Sequence, residues 1–345
     1  MKFINISLKY FLSLLIAFIL VSCLNDNNSN PVDFNITDNV KLISFIENKM
    51  VIMTNTPPIV NADIVNANSA SYLLIDIRTS NAYSSGHIPG AINVQPNDII
   101  NYLNGKNLNS YTRIVLIDND GQSSAYFTSL LRFYGFDSVY SLDFGMSQWN
   151  GAFANIWLNS LKQTLIPSDV DDPYTKNGLS NLPTINLSNL GTTIEEQTQN
   201  RVSQIVTEGF NQGSQILNLD FSESFSDYYL ICYGKYQLYN SDIPLVGTIA
   251  LPASFLYIPG IHLLSTSGLQ TLPLSKKIII YSVSGINSAM IVAYLRILGY
   301  DAATLDKGAC TFTYNYLLQR SNDWAPFLFL QQNIKNYAYN TGPNP

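Results

Sequence analysis

Two stretches of this chain, 164 residues apart, carry the same residues in the same order. With that offset, identical residues fall on each other at several positions, among them Gly121 and Gly285, Ser124 and Ser288, Ala125 and Ala289, Leu131 and Leu295, Arg132 and Arg296, and Gly135 and Gly299. A diverged duplication explains this agreement better than chance does. The 345 residues are long enough for two domains with a leader and linkers. The repeat therefore predicts two copies of one fold.

Short apolar strands alternate with helical segments in both stretches. The first copy has strand patterns over residues 72–77, 113–118 and 139–142, and a helical pattern over 125–136. The second copy has strands over 228–232 and 276–282, followed by a loop and helix over 283–300. Such alternation predicts α/β domains, each with a central parallel sheet flanked by helices.

Changes in composition divide the chain into segments. Residues 163–193 are rich in Asn, Asp, Pro, Ser and Thr and show little periodicity, which is typical of a linker. The predicted segments are a signal peptide over 1–22, a tether and N-terminal helix over 23–57, a first domain over 58–160, a linker over 161–193, a second domain over 194–330 and a tail over 331–345.

The N-terminus has the pattern of an export signal. Two lysines precede the apolar run Phe11–Val21, which is shorter than the roughly 20 residues that span a membrane. The run ends in Leu-Val-Ser-Cys at positions 20–23, which resembles the bacterial lipobox. That resemblance implies acylation of Cys23, a stable membrane anchor and a location in the cell envelope. An ordinary signal peptide with a chance cysteine is the alternative.

Charge argues against one class of partner. The chain has a formal net charge of -6, and no cluster of lysine and arginine occurs in it. Nucleic-acid binding depends mainly on neutralising phosphates, so we expect no nucleic-acid partner. The sequence also predicts no cofactor and no metal.

Two motifs in the first copy resemble the rhodanese family. Residues 73–78 read LLIDIR and residues 86–94 read GHIPGAINV, which is similar to the first signature of that family. In the second copy, Ser-Asp-Ile-Pro at 241–244 stands where Gly-His-Ile-Pro would, so this copy is identified mainly through the repeat. The resemblance implies two rhodanese-like domains with the sulfurtransferase fold.

The resemblance also assigns a loop to each copy. In the family, a cysteine opens a six-residue loop whose N–H groups stabilise a thiolate or persulfide; glycine is fourth, and arginine is often sixth. The corresponding loops here are Asp118-Asn119-Asp120-Gly121-Gln122-Ser123 and Ser282-Val283-Ser284-Gly285-Ile286-Asn287. Both keep the glycine, but Asp118 and Ser282 replace the cysteine. A carboxylate cannot hold a persulfide, and no histidine adjoins Ser282 to activate it.

The two substitutions have different consequences for binding. The Asp118 carboxylate is expected to accept the inward N–H groups itself, and together with Asp120 to repel an anionic substrate. The neutral loop that begins at Ser282 is then the better candidate for a small anionic or polar ligand. A purely structural role for both loops remains an alternative.

Several neighbours of the signature are expected to be structural. His87 is interpreted as a hydrogen-bonding residue, and Asp76 and Arg78 as residues that fix the turn after the first strand. The family often has a glutamate where Ala82 stands, so Arg78 is expected to lack that partner. In the second copy, cysteine and glycine replace the aspartate and arginine.

Cys232 and Cys310 would be the cysteines that remain after processing. In an oxidising compartment they could form a disulfide, or each could be a small buried apolar residue. Cys310, with Lys307 nearby, is also a candidate for a displaced thiol nucleophile. A thiosulfate-type sulfurtransferase that uses Cys310 or Cys232 is therefore an alternative function.

Residues 114–122, IVLIDNDGQ, allow a remote third interpretation. An apolar strand followed by Asp-x-Asp-Gly resembles the first motif of haloacid-dehalogenase-type phosphatases. Asp118 would then be the nucleophile, Asp120 the acid/base and Mg²⁺ the charge partner. The required later acidic pair is available only as Asp171 and Asp172, without a preceding strand. The favoured prediction is a catalytically inactive binding or scaffold protein, whose partner is an unidentified protein or a small ligand.

Overall fold

The structure is a computed structural model that describes residues 33–162, 181–186, 190–211, 213–216, 228–234, 256–257, 263–266, 268–319, 322 and 325–343. In that part of the chain, two five-stranded sheets lie among helices, and every strand pair in them is parallel. The predicted α/β class with parallel sheets is confirmed. The lipobox with Cys23, the second signature at 241–244 and the acidic pair at 171–172 lie outside the described residues.

The first sheet has the strand order β1-β5-β4-β2-β3. Its strands are β1 Ile59–Val60, β2 Tyr72–Asp76, β3 Ile92–Asn93, β4 Arg113–Ile117 and β5 Val139–Leu142. The helices of this part are α1 Asp33–Asn55, α2 Ala62–Asn68, α3 Ser80–Ser85, α4 Ile99–Asn104, α5 Gln122–Tyr134, α6 Gly145–Trp149 and α7 Asn155–Leu158.

The second sheet repeats this order, strand for strand, as β6-β10-β9-β7-β8. Its strands are β6 Gln215–Ile216, β7 Tyr228–Tyr233, β8 Leu256–Tyr257, β9 Lys277–Tyr281 and β10 Ala302–Leu305. The helices here are α8 Ile194–Glu208, α9 Ile286–Ile297 and α10 Tyr314–Gln319. The central strands correspond in register, since Asp76 pairs with Ile117 in one sheet and Cys232 with Tyr281 in the other.

The central strands are continuous apolar runs because helices cover both of their faces. Residues 114–117 of β4 and 278–281 of β9 are all buried. A strand at the middle of a parallel sheet loses water on both sides, so it lacks the polar-apolar alternation of a half-exposed strand. The polar loops begin where these two runs end.

Two helices carry the sequence signals expected of them. In α1, which lies within the predicted N-terminal segment 23–57, Leu42, Ile43 and Ile46 are buried. α8 begins at a capping box, in which Thr193 accepts from the N–H of Glu196 and the glutamate bonds back to Thr193. The chain divides into a unit of residues 1–40, whose described part is the start of α1, and a unit of 41–345 that contains both sheets. Among the described helices, none combines the length and apolarity of a membrane span.

Helices α5 and α9 pack against each other and join the two sheets. The rings of Phe133 and Tyr294 stack between them, with centroids 6.2 Å apart. Each helix follows the central strand of its own sheet, so its N-terminal end carries that sheet's loop. The packing therefore brings together the loops that begin at Asp118 and at Ser282.

The segment after residue 330, which the sequence indicated only as a tail, lies on the first sheet's side of the molecule. Trp149 Nε1 donates to the carbonyl of Ala338 at 2.9 Å. His87 and Asn340 exchange two backbone hydrogen bonds, each 2.9 Å long. This segment thus covers residues that belong to the first signature.

Candidate functional site

The first loop closes around its own opening residue. The carboxylate of Asp118 accepts from the N–H of Gly121 at 2.7 Å and from the N–H of Ser124 at 3.0 Å. The Ser124 hydroxyl also donates to it, at 3.0 Å. These amides lie at the N-terminal end of α5, where orphan N–H groups attract an anion. The carboxylate therefore occupies the position that an anionic ligand or thiolate would take.

A tight turn after β5 holds this loop from behind. Met146 N donates to the Asp118 carbonyl at 2.9 Å, and Ser147 N to that of Asn119 at 3.1 Å. Gly145, with φ of 54°, comes so close that a Cβ there would lie 2.6 Å from the Asp118 carboxylate. The hydroxyl of Ser124 also contacts that of Ser141, on β5, at 2.7 Å. The carboxylate is thus fixed by packing as well as by hydrogen bonds.

Burial decides the charge of Asp118. Its side chain is almost fully removed from water, and this desolvation, with the nearby charge of Asp120, raises its pKa to about 7. The hydrogen bonds from Gly121 and Ser124 act in the opposite direction, because they stabilise the carboxylate. Near neutral pH Asp118 is therefore partly protonated, whereas an exposed aspartate is fully ionised.

The second loop has the same construction with a smaller group at its start. The hydroxyl of Ser282 accepts from the N–H of Gly285 at 3.0 Å and from that of Ser288 at 3.3 Å. The Ser288 hydroxyl contacts that of Thr304 at 2.7 Å, as Ser124 contacts its partner on β5. Gly308, with φ of 53°, packs against the loop in the way that Gly145 does.

The second loop is covered by a side chain from the first. Gln122 Nε2 donates to the Leu305 carbonyl at 3.0 Å, and the backbone N–H of Lys307 donates to Gln122 Oε1 at 2.8 Å. A Cβ on Gly285 would overlap the Gln122 amide. Ser282, Val283, Ser284 and Ile286 are all buried. These contacts bury the loop that the sequence favoured as the candidate for a small anionic or polar ligand.

The open cleft lies instead at the first loop, between the two sheets. Its volume is about 570 Å³, within the range of small-molecule sites. Asp118, Asn119, Asp120 and Ser123 contribute to its wall, and no residue from 282–287 does. The far wall comes from the second half of the chain and includes Asp306 and Lys307.

Lys307 links the second sheet to the first loop. Its ammonium lies 2.9 Å from the Asp306 carboxylate and 3.4 Å from that of Asp120. The two carboxylates raise the pKa of Lys307 and outweigh its burial, so the side chain stays charged. The sequence indicated this lysine only as a neighbour of Cys310. The sequence signal that could have identified Lys307 is its position directly before Gly308. The equivalent position in the first copy is Phe144, directly before Gly145.

Both cysteines are buried free thiols. Cys232 lies on β7, and Cys310 lies in the short 3-10 helix Gly308–Thr311. Burial raises the pKa of each thiol to about 12, and neither residue lines the cleft. Cys310 N donates to Val283 O at 3.1 Å, so it stands where Ser147 stands in the first copy and not at the start of a loop. The structure thus supplies neither thiol as an accessible nucleophile.

The polar residues of the first signature hold each other in place. Arg78 binds Asp76 at 2.6 Å and donates to the Gly86 carbonyl, also at 2.6 Å. A backbone oxygen thus accepts from Arg78 although Ala82 stands where the family has glutamate. The His87 ring stacks on Tyr83 with centroids 3.8 Å apart and contacts the Tyr83 carbonyl through Nδ1 at 2.9 Å.

The phosphatase interpretation finds little support in this geometry. The Asp118 carboxylate is engaged by amides and a hydroxyl, whereas a nucleophile needs a free oxygen. Asp120 faces the ammonium of Lys307. Within the described ranges, no group of three or more His, Cys, Asp or Glu side chains has the arrangement of a metal site.

Comparisons with known proteins agree with this arrangement. Residues 61–152 match the family model described as a rhodanese-like domain. The chain is 33% identical over 95 residues to thiosulfate sulfurtransferase GlpE of Shewanella oneidensis, which covers 28% of this chain and 92% of that protein. It is also 33% identical over 82 residues to the GlpE of Pseudoalteromonas translucida, covering 24% of this chain and 76% of that protein. The family-model match spans the first loop.

Two solved structures extend over more of the chain at lower identity. A thiosulfate sulfurtransferase from Pseudomonas aeruginosa is 15% identical with a TM-score of 0.27, and the match covers 88% of this chain and 49% of that chain. SseA of Escherichia coli is 16% identical with a TM-score of 0.25, and the match covers 73% of this chain and 99% of that chain.

Proposed function

The chain belongs to the rhodanese family, and on that premise we propose that it is a member without sulfurtransferase activity that works by binding. One observation carries this proposal: Asp118 accepts the N–H groups of Gly121 and Ser124, which in an active member serve the reacting sulfur. A carboxylate cannot carry the persulfide, and while it fills the loop no anionic sulfur donor can enter.

We extend the proposal to the second half of the chain, as a diverged rhodanese-like domain. Its support is the identical strand order of the two sheets and the matching pair of loops. The second copy also lacks the cysteine, since Ser282 stands in its position. Gln122 covers the loop that begins at Ser282. On this proposal neither half transfers sulfur, and the cleft between them is the part left for a ligand.

We also propose that acylated Cys23 anchors the protein in the cell envelope. The support is the apolar run over 11–21 followed by Leu-Val-Ser-Cys. Growth of expressing cells with labelled palmitate should label the wild-type protein, and Cys23→Ala should remain unlabelled. Equal labelling of both would contradict the anchor at this residue.

The alternative of a displaced thiol has weak support. A nucleophilic cysteine must form a thiolate, and with a pKa of about 12 Cys232 and Cys310 remain protonated near neutral pH. The alternative predicts that one cysteine substitution abolishes activity, which makes it separable from the binding proposal.

A cyanide–thiosulfate assay on the purified mature chain tests the proposal. We expect no thiocyanate above the buffer background for the wild type, for Cys232→Ser and for Cys310→Ser. An active family member assayed in parallel shows that the conditions permit turnover. Turnover by the wild type would contradict the proposal, and its loss in one variant would identify the thiol.

A further inference from the structure

Several backbone donors of the first loop are engaged by the loop's own carboxylates. The N–H groups of Gly121 and Ser124 donate to the Asp118 carboxylate, and that of Gln122 donates to the Asp120 carboxylate at 3.2 Å. Three of the donors that would make such a loop an anion site are therefore already used within the chain. This favours a ligand of this cleft that is recognised in another way.

Carboxylates outnumber cations in the wall of this cleft. Four acidic side chains line it: Asp118, Asp120, Glu208 and Asp306. Two basic side chains line it, and each is already paired, Arg78 with Asp76 and Lys307 with two carboxylates at once. Asp118 is partly protonated near neutral pH, and Arg296 balances Glu208, but Asp120 and Asp306 together still exceed the single charge of Lys307. A recessed site walled by one sign of charge concentrates ligands of the opposite sign.

The rest of the wall can hold an apolar body. Phe127 and Phe210 are buried side chains that line the cleft from opposite halves of the chain, and Ile156 is partly exposed at it. The volume of about 570 Å³ accommodates a molecule of one aromatic ring or a comparable chain.

We propose that this cleft binds a small organic cation, an ammonium or guanidinium group on a short apolar body, with Asp120 and Asp306 as the charged contacts. The inference rests on the proposed binding function and names its ligand class. Lys307 contacts the same two carboxylates, so it competes with the ligand for them. Two substitutions are therefore expected to change affinity in opposite directions.

Three probes of nearly equal shape separate charge from size. Binding of benzylammonium, benzyl alcohol and benzoate to the full mature chain is measured by calorimetry. We expect benzylammonium to bind about tenfold more tightly than benzyl alcohol, and benzoate to bind more weakly than either. Equal affinity for all three, tighter binding of benzoate, or no binding of benzylammonium would overturn the inference.

Two variants then locate the cation. Asp120→Asn keeps the shape of the side chain and should weaken benzylammonium binding several-fold, whereas Lys307→Met should strengthen it. Asp137→Asn removes one exposed acid outside the cleft wall and should change nothing. If Lys307→Met fails to fold, Asp120→Asn decides alone, and unchanged affinity in that variant overturns the site. Turnover in the thiosulfate assay would instead contradict the proposed function, regardless of which probe binds.

Discussion

The side-chain amide of Gln122 lies in the space that a Cβ on Gly285 would need. Gln122 is the first residue of α5, and Gly285 is the fourth residue of the second loop, so one half of the chain closes the loop of the other. The relationship is partly reciprocal. A Cβ on Gly121 would lie 2.8 Å from Cδ1 of Ile286, the first residue of α9. Only the first loop, however, also borders the open cleft.

This asymmetry predicts that restoring the cysteine has different results in the two loops. In Asp118→Cys, the thiol would face the N–H groups of Gly121 and Ser124, which lower a thiol pKa. The cleft gives reagents access to it. We expect Asp118→Cys to react with the uncharged reagent iodoacetamide at neutral pH. Ser282→Cys should remain unreactive in the folded protein.

A second substitution checks the cause of that difference. Adding Gln122→Ala to Ser282→Cys removes the amide that covers the second loop, so its thiol should become reactive. Both single variants and the double variant are compared by mass spectrometry after equal exposure to the reagent. An unreactive Asp118→Cys in a folded protein would show that the first loop no longer stabilises a thiolate.

Much of this arrangement is encoded locally. The apolar run of β4 and the glycine at 121 predict a strand and a turn, and the acceptance of N–H groups by Asp118 follows from the geometry of such a loop. The repeat predicts a second sheet, because each copy carries its own strand and turn signals. Within one copy these signals come from residues that are near each other in sequence, which is why periodicity and turn chemistry indicate them.

The features that decide which loop is open depend on docking. Gln122 and Lys307 are 185 residues apart, and their hydrogen bond forms only once the two halves pack together. No local pattern distinguishes a glutamine that covers a loop from one that is exposed. The same holds for Lys307 beside Asp120, which the sequence separates by a comparable distance. For this reason the sequence did not predict that the loop beginning at Ser282 is covered.

The buried Asp118 should make stability fall as pH rises. An aspartate in the unfolded chain loses its proton near pH 4, whereas burial raises the pKa of Asp118 to about 7 in the folded protein. Between these values the folded state binds the extra proton, so its contribution is full below pH 4 and lost by about pH 7. Burial raises the pKa of Asp143 to about 7 as well, with the same sign. We expect a loss on the order of a few kcal/mol over this range.

Urea unfolding from about pH 5 to about pH 8 measures this slope. Asp118→Ser copies the residue of the second loop and removes the titrating group, so its stability should vary less with pH than that of the wild type. Asp137→Asn, at an exposed site, should keep the wild-type slope. A wild type that becomes more stable between pH 6 and pH 8 would contradict the raised pKa.

Substitution of the glycines that pack against the two loops should destabilise the protein. Gly145 and Gly308 have φ of 54° and 53°, and a Cβ on either would crowd the loop it supports. Gly90 also has positive φ, 82°, but no atom would meet its Cβ within 4 Å. We expect Gly90→Ala to cost about 1 kcal/mol from backbone strain alone, and Gly145→Ala or Gly308→Ala to cost about 3 kcal/mol or more because overlap adds to strain. Equal unfolding midpoints for the three variants would contradict this.

The C-terminal segment should stabilise the part of the molecule that contains the first sheet. It supplies the carbonyl of Ala338 to Trp149 Nε1 and the backbone of Asn340 to His87, and the ring of Tyr337 packs on Trp149 with centroids 5.1 Å apart. Trp149 is buried, so removal of residues 335–345 would expose its indole and leave its N–H without this partner.

We therefore expect the truncated chain to unfold at a lower urea concentration, with a loss of about 2–4 kcal/mol. Its tryptophan emission should shift to longer wavelength, and the shift should disappear in a truncated Trp149→Phe chain. Asp63→Asn removes the exposed ion pair with Lys335 but keeps an acceptor for the Tyr337 hydroxyl, and it should leave the midpoint nearly unchanged because exposed ion pairs contribute little. If truncation also left the midpoint and the emission unchanged, the segment would lie on the protein without stabilising it.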